Sequence, residues 1–185
     1  MKTKLSLTAK LFLADARKLL ATEHTPHIVK CLEQLEDDEI WWRPNDASNS
    51  AGNLVLHLCG NVRQWIISNL GETAFERDRD TEFAERGPIP RKDLIECVKR
   101  TVREACAVLD RIPESTLHRK FTIQGLHVTG VEAVAHVVEH FAYHTGQIIY
   151  IAKLKGGKDL RFTNLPKPKI TVAQSALKLG DRRTR

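Results

Sequence analysis

Several protein classes are excluded by what the sequence has little of. No stretch approaches the roughly 18 consecutive apolar residues that a membrane-spanning helix needs, and the apolar run near the start is broken at Lys10 and Asp15 before it reaches the length of a secretory leader. A cytoplasmic protein with no membrane attachment is therefore expected. Cysteine is scarce. Cys31, Cys59, Cys97 and Cys106 are too few and too widely spaced for a disulfide framework, none forms a Cys-x-x-Cys pair, and all four read as reduced core residues. Disorder is excluded as well, because 42% of the residues are hydrophobic and 28% charged, the balance of an ordinary globular domain.

Net charge is missing from most of the chain. The formal charge is +6 over 185 residues, a value that points first to nucleic acid. From Gly156 onward there are eight basic residues, Lys158, Arg161, Lys167, Lys169, Lys178, Arg182, Arg183 and Arg185, against Asp159 and Asp181, and this stretch holds the whole excess. The first 155 residues balance, and the tail has no aromatic residue but Phe162 for stacking on bases. Nucleic acid is not the expected partner, and the chain divides into a neutral body over 1–155 and a basic tail over 156–185.

The body reads as helices. Leu5, Leu11, Phe12, Leu19 and Leu20 allow a first helix, and Thr25-Pro26 has the form of a restart with Thr25 as N-cap and Pro26 in the first turn. Ile28, Cys31, Leu32 and Leu35 then follow at helical spacing. Glu36–Glu39 and Trp41-Trp42-Arg43-Pro44 mark a loop, with the tryptophans expected to staple it to the body. Ser48-Asn49-Ser50 supplies N-caps for a second helix running to Leu70 and stopping at Gly71. Residues 72–90 read as a long loop, with Arg77, Arg79 and Glu82 as ion-paired loop residues. Arg91 to Ile112 forms a third helix ended by Pro113, and Phe121–Val128 alternates enough for a small hairpin or an extended excursion. Thr129 and Glu132 make a capping box for a last helix ending near Gly156-Gly157. The expected fold is all-α, a four-helix bundle with long connections and an irregular basic C-terminal tail.

The last helix carries His136, His140 and His144, one every four residues, on a face shared with Ala133, Val137, Ile148 and Ile151. That face is apolar and should point inward. Imidazoles there need polar partners, because a buried unpaired nitrogen is costly, and a lone histidine in such a place is usually a hydrogen-bonded core residue. Two imidazoles at i and i+4 can instead converge on one ion. A third ligand must come from another helix, where His57 shares its face with Leu54, Leu58 and Asn61. Three imidazoles with an open position suit Zn²⁺, Ni²⁺ or a related first-row ion.

The segments Ser50-Ala-Gly-Asn-Leu-Val-Leu-His57-Leu-Cys-Gly-Asn61 and His140-Phe-Ala-Tyr-His144-Thr-Gly-Gln147 together resemble the DinB superfamily, as do, within an uncharacterised branch of it, Trp41–Pro44 and Arg77–Phe83. The resemblance covers residues 5 to 155 in layout, with only the two histidine segments specific. It implies a four-helix bundle, a homodimer, and one divalent metal held by His57, His140 and His144. Where many relatives have His-Arg-Gly-Gln, this chain has His144-Thr-Gly-Gln147, so any role of that arginine is absent. His136 is the rival third ligand or, with Asn61, Tyr143 and Gln147, a pocket or supporting residue; Glu139 neighbours His140 and should point away. By analogy with thiol-using transferases of the superfamily, a metal-dependent transferase or hydrolase acting on a small molecule is expected. The alternative is a non-catalytic or stress-related protein with a structural metal. Neither the residues nor the resemblance names a catalytic group or a substrate.

Overall fold

A computed structural model describes residues 5–162, so the basic tail beyond Phe162 lies outside the described residues. The elements in chain order are α1 (Leu7–Lys18), α2 (Thr25–Gln34), α3 (Asp37–Ile40), α4 (Ala51–Val62), α5 (Arg79–Ala84), α6 (Arg91–Arg111), α7 (Glu114–His118), β1 (Lys120–Ile123), β2 (Leu126–Thr129) and α8 (Gly130–Gly156). Two π-helical segments, Leu19–His24 and Arg63–Leu70, continue the helices they follow. Helix α4 packs on α6 and α8, and α2 packs on the same two, which closes a four-helix ring. The all-α bundle expected from the sequence is the fold observed.

The first column is one helix, not two. Proline lacks the N–H of a helical turn, and its ring clashes with the carbonyl four residues back. The wide turn ahead of Pro26 relieves both conflicts: Thr25 N–H reaches Leu20 O, five residues back, and Thr25 Oγ1 donates to the same oxygen across 2.7 Å. Thr25 is therefore helical, with φ −59° and ψ −46°, rather than the N-cap expected. Small residues share the inward face of this helix. Ala9, Leu13, Ala16 and Leu20 are buried, while Leu11 is 62% exposed.

Other boundaries follow their caps. Ser50 and Asn53 form a capping box at the start of α4, and Thr129 and Glu132 do so for α8. Helix α8 ends where Gly157 turns left-handed, at φ +60°. Gln124 and Gly125, both at positive φ, turn β1 back on β2 with Phe121 opposite Val128. Between them the helices bury a continuous core that includes Leu13, Leu32, Leu58, Trp65, Leu94, Leu109 and Phe141. Each such aliphatic side chain contributes about 1.5–3 kcal/mol. All four cysteines are free; Cys31 and Cys59 are buried, while Cys97 and Cys106 are half-buried against the core.

Two connections hold more order than their composition suggests. Glu36 and Glu39 cap the short α3. Within 72–90, Asp78 accepts from Thr81 N–H and starts α5, where an unbroken loop was expected. Trp41 staples its loop as anticipated, lying against Gly52 and Gly87 and donating from Nε1 to Ile89 O across 3.4 Å.

Candidate metal centre

His57 projects from α4, and His140 and His144 from successive turns of α8. One ring nitrogen of each lies within 4.8 Å of the others. The rings meet edge to face, with centroids 4.9 Å (His57–His140), 5.0 Å (His57–His144) and 4.4 Å (His140–His144) apart. Around a tetrahedral zinc with Zn–N bonds of about 2.0–2.1 Å, ligand nitrogens stand roughly 3.4 Å apart. The histidine set fits such an ion after shifts of an ångström or less per nitrogen.

The protons on His57 and His144 are set from outside the cluster. Glu82 Oε2 lies 3.0 Å from His57 Nδ1. Arg77 Nη2 lies 3.1 Å from the same nitrogen, but its two protons go to Glu82 Oε2 and His57 O; the carboxylate only accepts, so Nδ1 carries the proton and Nε2 keeps its lone pair. His140 Nε2–H then donates to His57 Nε2 across 2.9 Å. On the other side, His144 Nδ1–H donates to Gln147 Oε1 across 2.6 Å, leaving its Nε2 unprotonated.

Glu82 is anchored in turn. Arg77 donates from Nε to Oε1 and from Nη2 to Oε2, each at 2.7 Å, a bidentate pair. The same guanidinium reaches His57 O from Nη2 and Gln64 Oε1 from Nη1. Gln64 Oε1 also accepts from Gln124 Nε2 at the hairpin turn, 2.6 Å away. Arg77 is almost wholly buried, at 3% side-chain exposure, so its charge depends on this pairing. Burial pushes the Glu82 carboxyl up, but the hydrogen bonds from His57 and Arg77 and the Arg77 charge outweigh it and hold it below the usual range. Room for the carboxylate comes from Gly60, where any Cβ would overlap Glu82 Oε1.

Burial, with the neighbouring imidazoles and Arg77, pushes His140 down to about 3. Burial lowers His144 too, against the opposing hydrogen bond to Gln147. Both are neutral at physiological pH, the form in which imidazole ligates metal.

His136 is set apart from the three. Its ring stacks on Trp65 at 3.9 Å between centroids, and its Nε2 accepts from Asn61 Nδ2 across 3.4 Å. Asn61 thus supports His136 rather than the cluster, and its Oδ1 is buried with no partner among the described residues. Glu139 is exposed, as expected. Tyr143 lies on the solvent side with its ring 5.1 Å from that of His144. Tyr143 and Gln147 line a cavity whose wall includes Trp42, which also packs against the core as the staple expected.

The part of the centre that sequence reasoning misplaced is the Arg77–Glu82 pair. It is ion-paired, as expected, but the pair serves His57 rather than the loop. Two opposite charges five residues apart, inside the resemblance-bearing Arg77–Phe83 stretch, were the hint.

Residues 8–169 match the model of a family described as "Protein of unknown function (DUF1572)". No curated protein matches the chain. In fold it is similar to a DinB-like protein from Bacillus cereus ATCC 10987, with a TM-score of 0.57 and 17% identity over 75% of this chain and 89% of that one. It is also similar to a DinB-like protein from Bacillus subtilis, with a TM-score of 0.56 and 22% identity over 81% of this chain and 96% of that one. At these identities the likeness establishes the DinB-like fold.

Proposed function

The chain belongs to the DUF1572 family, and from the geometry of its three clustered histidines we propose that it is a metal-dependent enzyme holding one divalent transition ion, zinc or nickel, through His57, His140 and His144. One observation carries the reading: His57 and His144 each spend Nδ1 on an outside acceptor, Glu82 and Gln147, so that their Nε2 lone pairs are left for a common centre.

Three protein ligands leave a coordination position open, the pattern of catalytic rather than structural sites. An ion there supplies Lewis acidity, favouring the ionised form of a water or small thiol that reaches it. The protein's own contribution is positional. Glu82 fixes the His57 tautomer and ring angle, Gln147 does the same for His144, and Arg77 balances the Glu82 charge. Binding an ion requires His140 to give up the Nε2 proton it shares with His57. The reaction class we favour is thiol-dependent transfer or hydrolysis of a small molecule, in a cytoplasmic homodimer; this class and the dimer rest on the resemblance to the DinB superfamily. A structural metal is the alternative, disfavoured because the bundle already buries a continuous core.

Metal content by inductively coupled plasma mass spectrometry tests the reading on tag-free protein. About one ion per wild-type chain is expected, lost in His57→Ala, His140→Ala and His144→Ala variants that circular dichroism shows to be folded. No ion in wild type after reconstitution with zinc or nickel, or an ion retained by all three variants, overturns it.

A further inference from the structure

A cavity of about 570 Å³ opens beside the histidine cluster, between the 42–49 segment and the second half of α8. We propose that it binds a neutral small molecule with an aromatic or apolar body and a hydrogen-bond acceptor, which Gln147 holds next to His144. Treating that ligand as the substrate of the histidine centre rests on the metal reading above; the cavity itself does not.

The walls point to the ligand's body. Trp42, Tyr143, Tyr150 and Leu154 face the space, and among the described residues no Asp, Glu, Lys or Arg lines it. A charged ligand would lose water there without gaining a counter-charge, whereas flat apolar groups stack well on such rings. The chain has only two tyrosines. Both are in this wall and remain about two-thirds exposed, at 65% and 66%. The volume lies within the roughly 300–1,000 Å³ of small-molecule sites.

Gly146 is the second observation. It sits inside α8, where glycine costs about 0.5–1 kcal/mol relative to alanine. No packing demands it, because a Cβ there would meet nothing within 4 Å. What the missing side chain leaves open is the floor of the cavity. A helix position that forgoes stability without a steric reason is accounted for if the space is used.

Gln147 is the third. Its Oε1 is taken by His144 Nδ1–H, its amide Nε2 has no hydrogen bond among the described residues, and the residue lines the cavity. That N–H₂ is a free donor for a carbonyl or similar acceptor, and it ties the ligand's polar end to the residue that orients His144.

The test uses 2-naphthamide, with 2-naphthoate as its charged counterpart, titrated into the full chain and followed by calorimetry and tryptophan fluorescence. Metal-stripped and metal-loaded protein are both measured. Saturable binding of the amide is expected in both, at least about 10-fold weaker for the carboxylate and in Gly146→Leu and Tyr150→Ala. Gly146→Leu should keep its Tm at or above that of wild type, and the His144 imidazole ¹⁵N resonances should shift on amide binding. Absence of saturation, equal affinity in both variants, or an unmoved His144 signal overturns the proposal. Sedimentation velocity separates the competing occupant: a dimer that Gly146→Leu dissociates would mean that a second copy fills the cavity, and the proposal fails. Amide binding to a chain that takes up no metal sinks the metal reading alone, so the two failures are distinct.

Discussion

Glu82 Oε2 sits 3.0 Å from Nδ1 of His57, twenty-five residues earlier in the chain, and this contact decides which nitrogen of His57 faces the other two histidines. Glu82→Gln keeps an acceptor of the same shape and removes the charge. Metal affinity should fall by about 10–100-fold, the usual cost of altering a partner that orients a ligand, with the fold retained. Glu82→Ala should be worse for stability, because Arg77 is left buried and unpaired at a cost of about 3–5 kcal/mol. Competition with a chromophoric chelator and urea unfolding separate the two effects; equal metal affinity in Glu82→Gln and wild type removes Glu82 from the centre.

Gly60→Ala offers a route to the same contact without touching a polar group. The added Cβ collides with Glu82 Oε1, so the carboxylate must withdraw from His57. Alanine is otherwise the better helix former by about 1 kcal/mol. The expected signature is a loss of metal affinity resembling that of Glu82→Gln. Unchanged affinity would show that the carboxylate can move without consequence for His57.

His136→Phe should hold as much metal as wild type. The stack on Trp65 is geometric and survives in phenylalanine, while the 3.4 Å bond from Asn61 is lost at about 1 kcal/mol. A variant emptied of metal would make His136 a ligand after all.

The metal-free protein should lose stability as acid is added. His140 is held at about 3 when folded, against 6.5 for an unperturbed histidine. The unfolded chain therefore binds a proton that the folded chain refuses, and stability rises with pH across that window. Urea midpoints measured from pH 7 down to 4 on metal-free protein should fall, and less steeply in His140→Ala. Parallel curves for the two proteins would show that His140 does not carry the effect.

The helices were legible because their ends carry local chemistry. Ser50, Thr129 and Gly157 each cap within a few residues of their own position, so the sequence alone contains both partners. Thr25-Pro26 misled for the same reason: the pair is also what a helix start looks like, and only the carbonyl of Leu20 five residues back distinguishes a wide turn from a restart. The inward face of α1 could not be picked out from its leucines because alanines fill half of it, at Ala9 and Ala16, leaving leucine positions such as Leu11 to solvent. Helix α5 buries no residue and so has no apolar stripe to read.

At the centre, spacing within one helix offered His136, His140 and His144 alike, the resemblance favoured the last two, and His57 stood out by the company it keeps on its own face. Glu82 was out of reach. Its role depends on a glycine on α4 and on an arginine whose partners lie on three separate segments, an arrangement that exists only after folding.

The hairpin turn is joined to the histidines by a relay of four side chains, Gln124 to Gln64 to Arg77 to Glu82. Seen from the outside, this makes the turn a handle. A cargo fused there, or an antibody that grips it, would pull first on Gln124 and only then on the support beneath His57. The most exposed corner of the hairpin is thus the natural place from which to tune the centre without entering it.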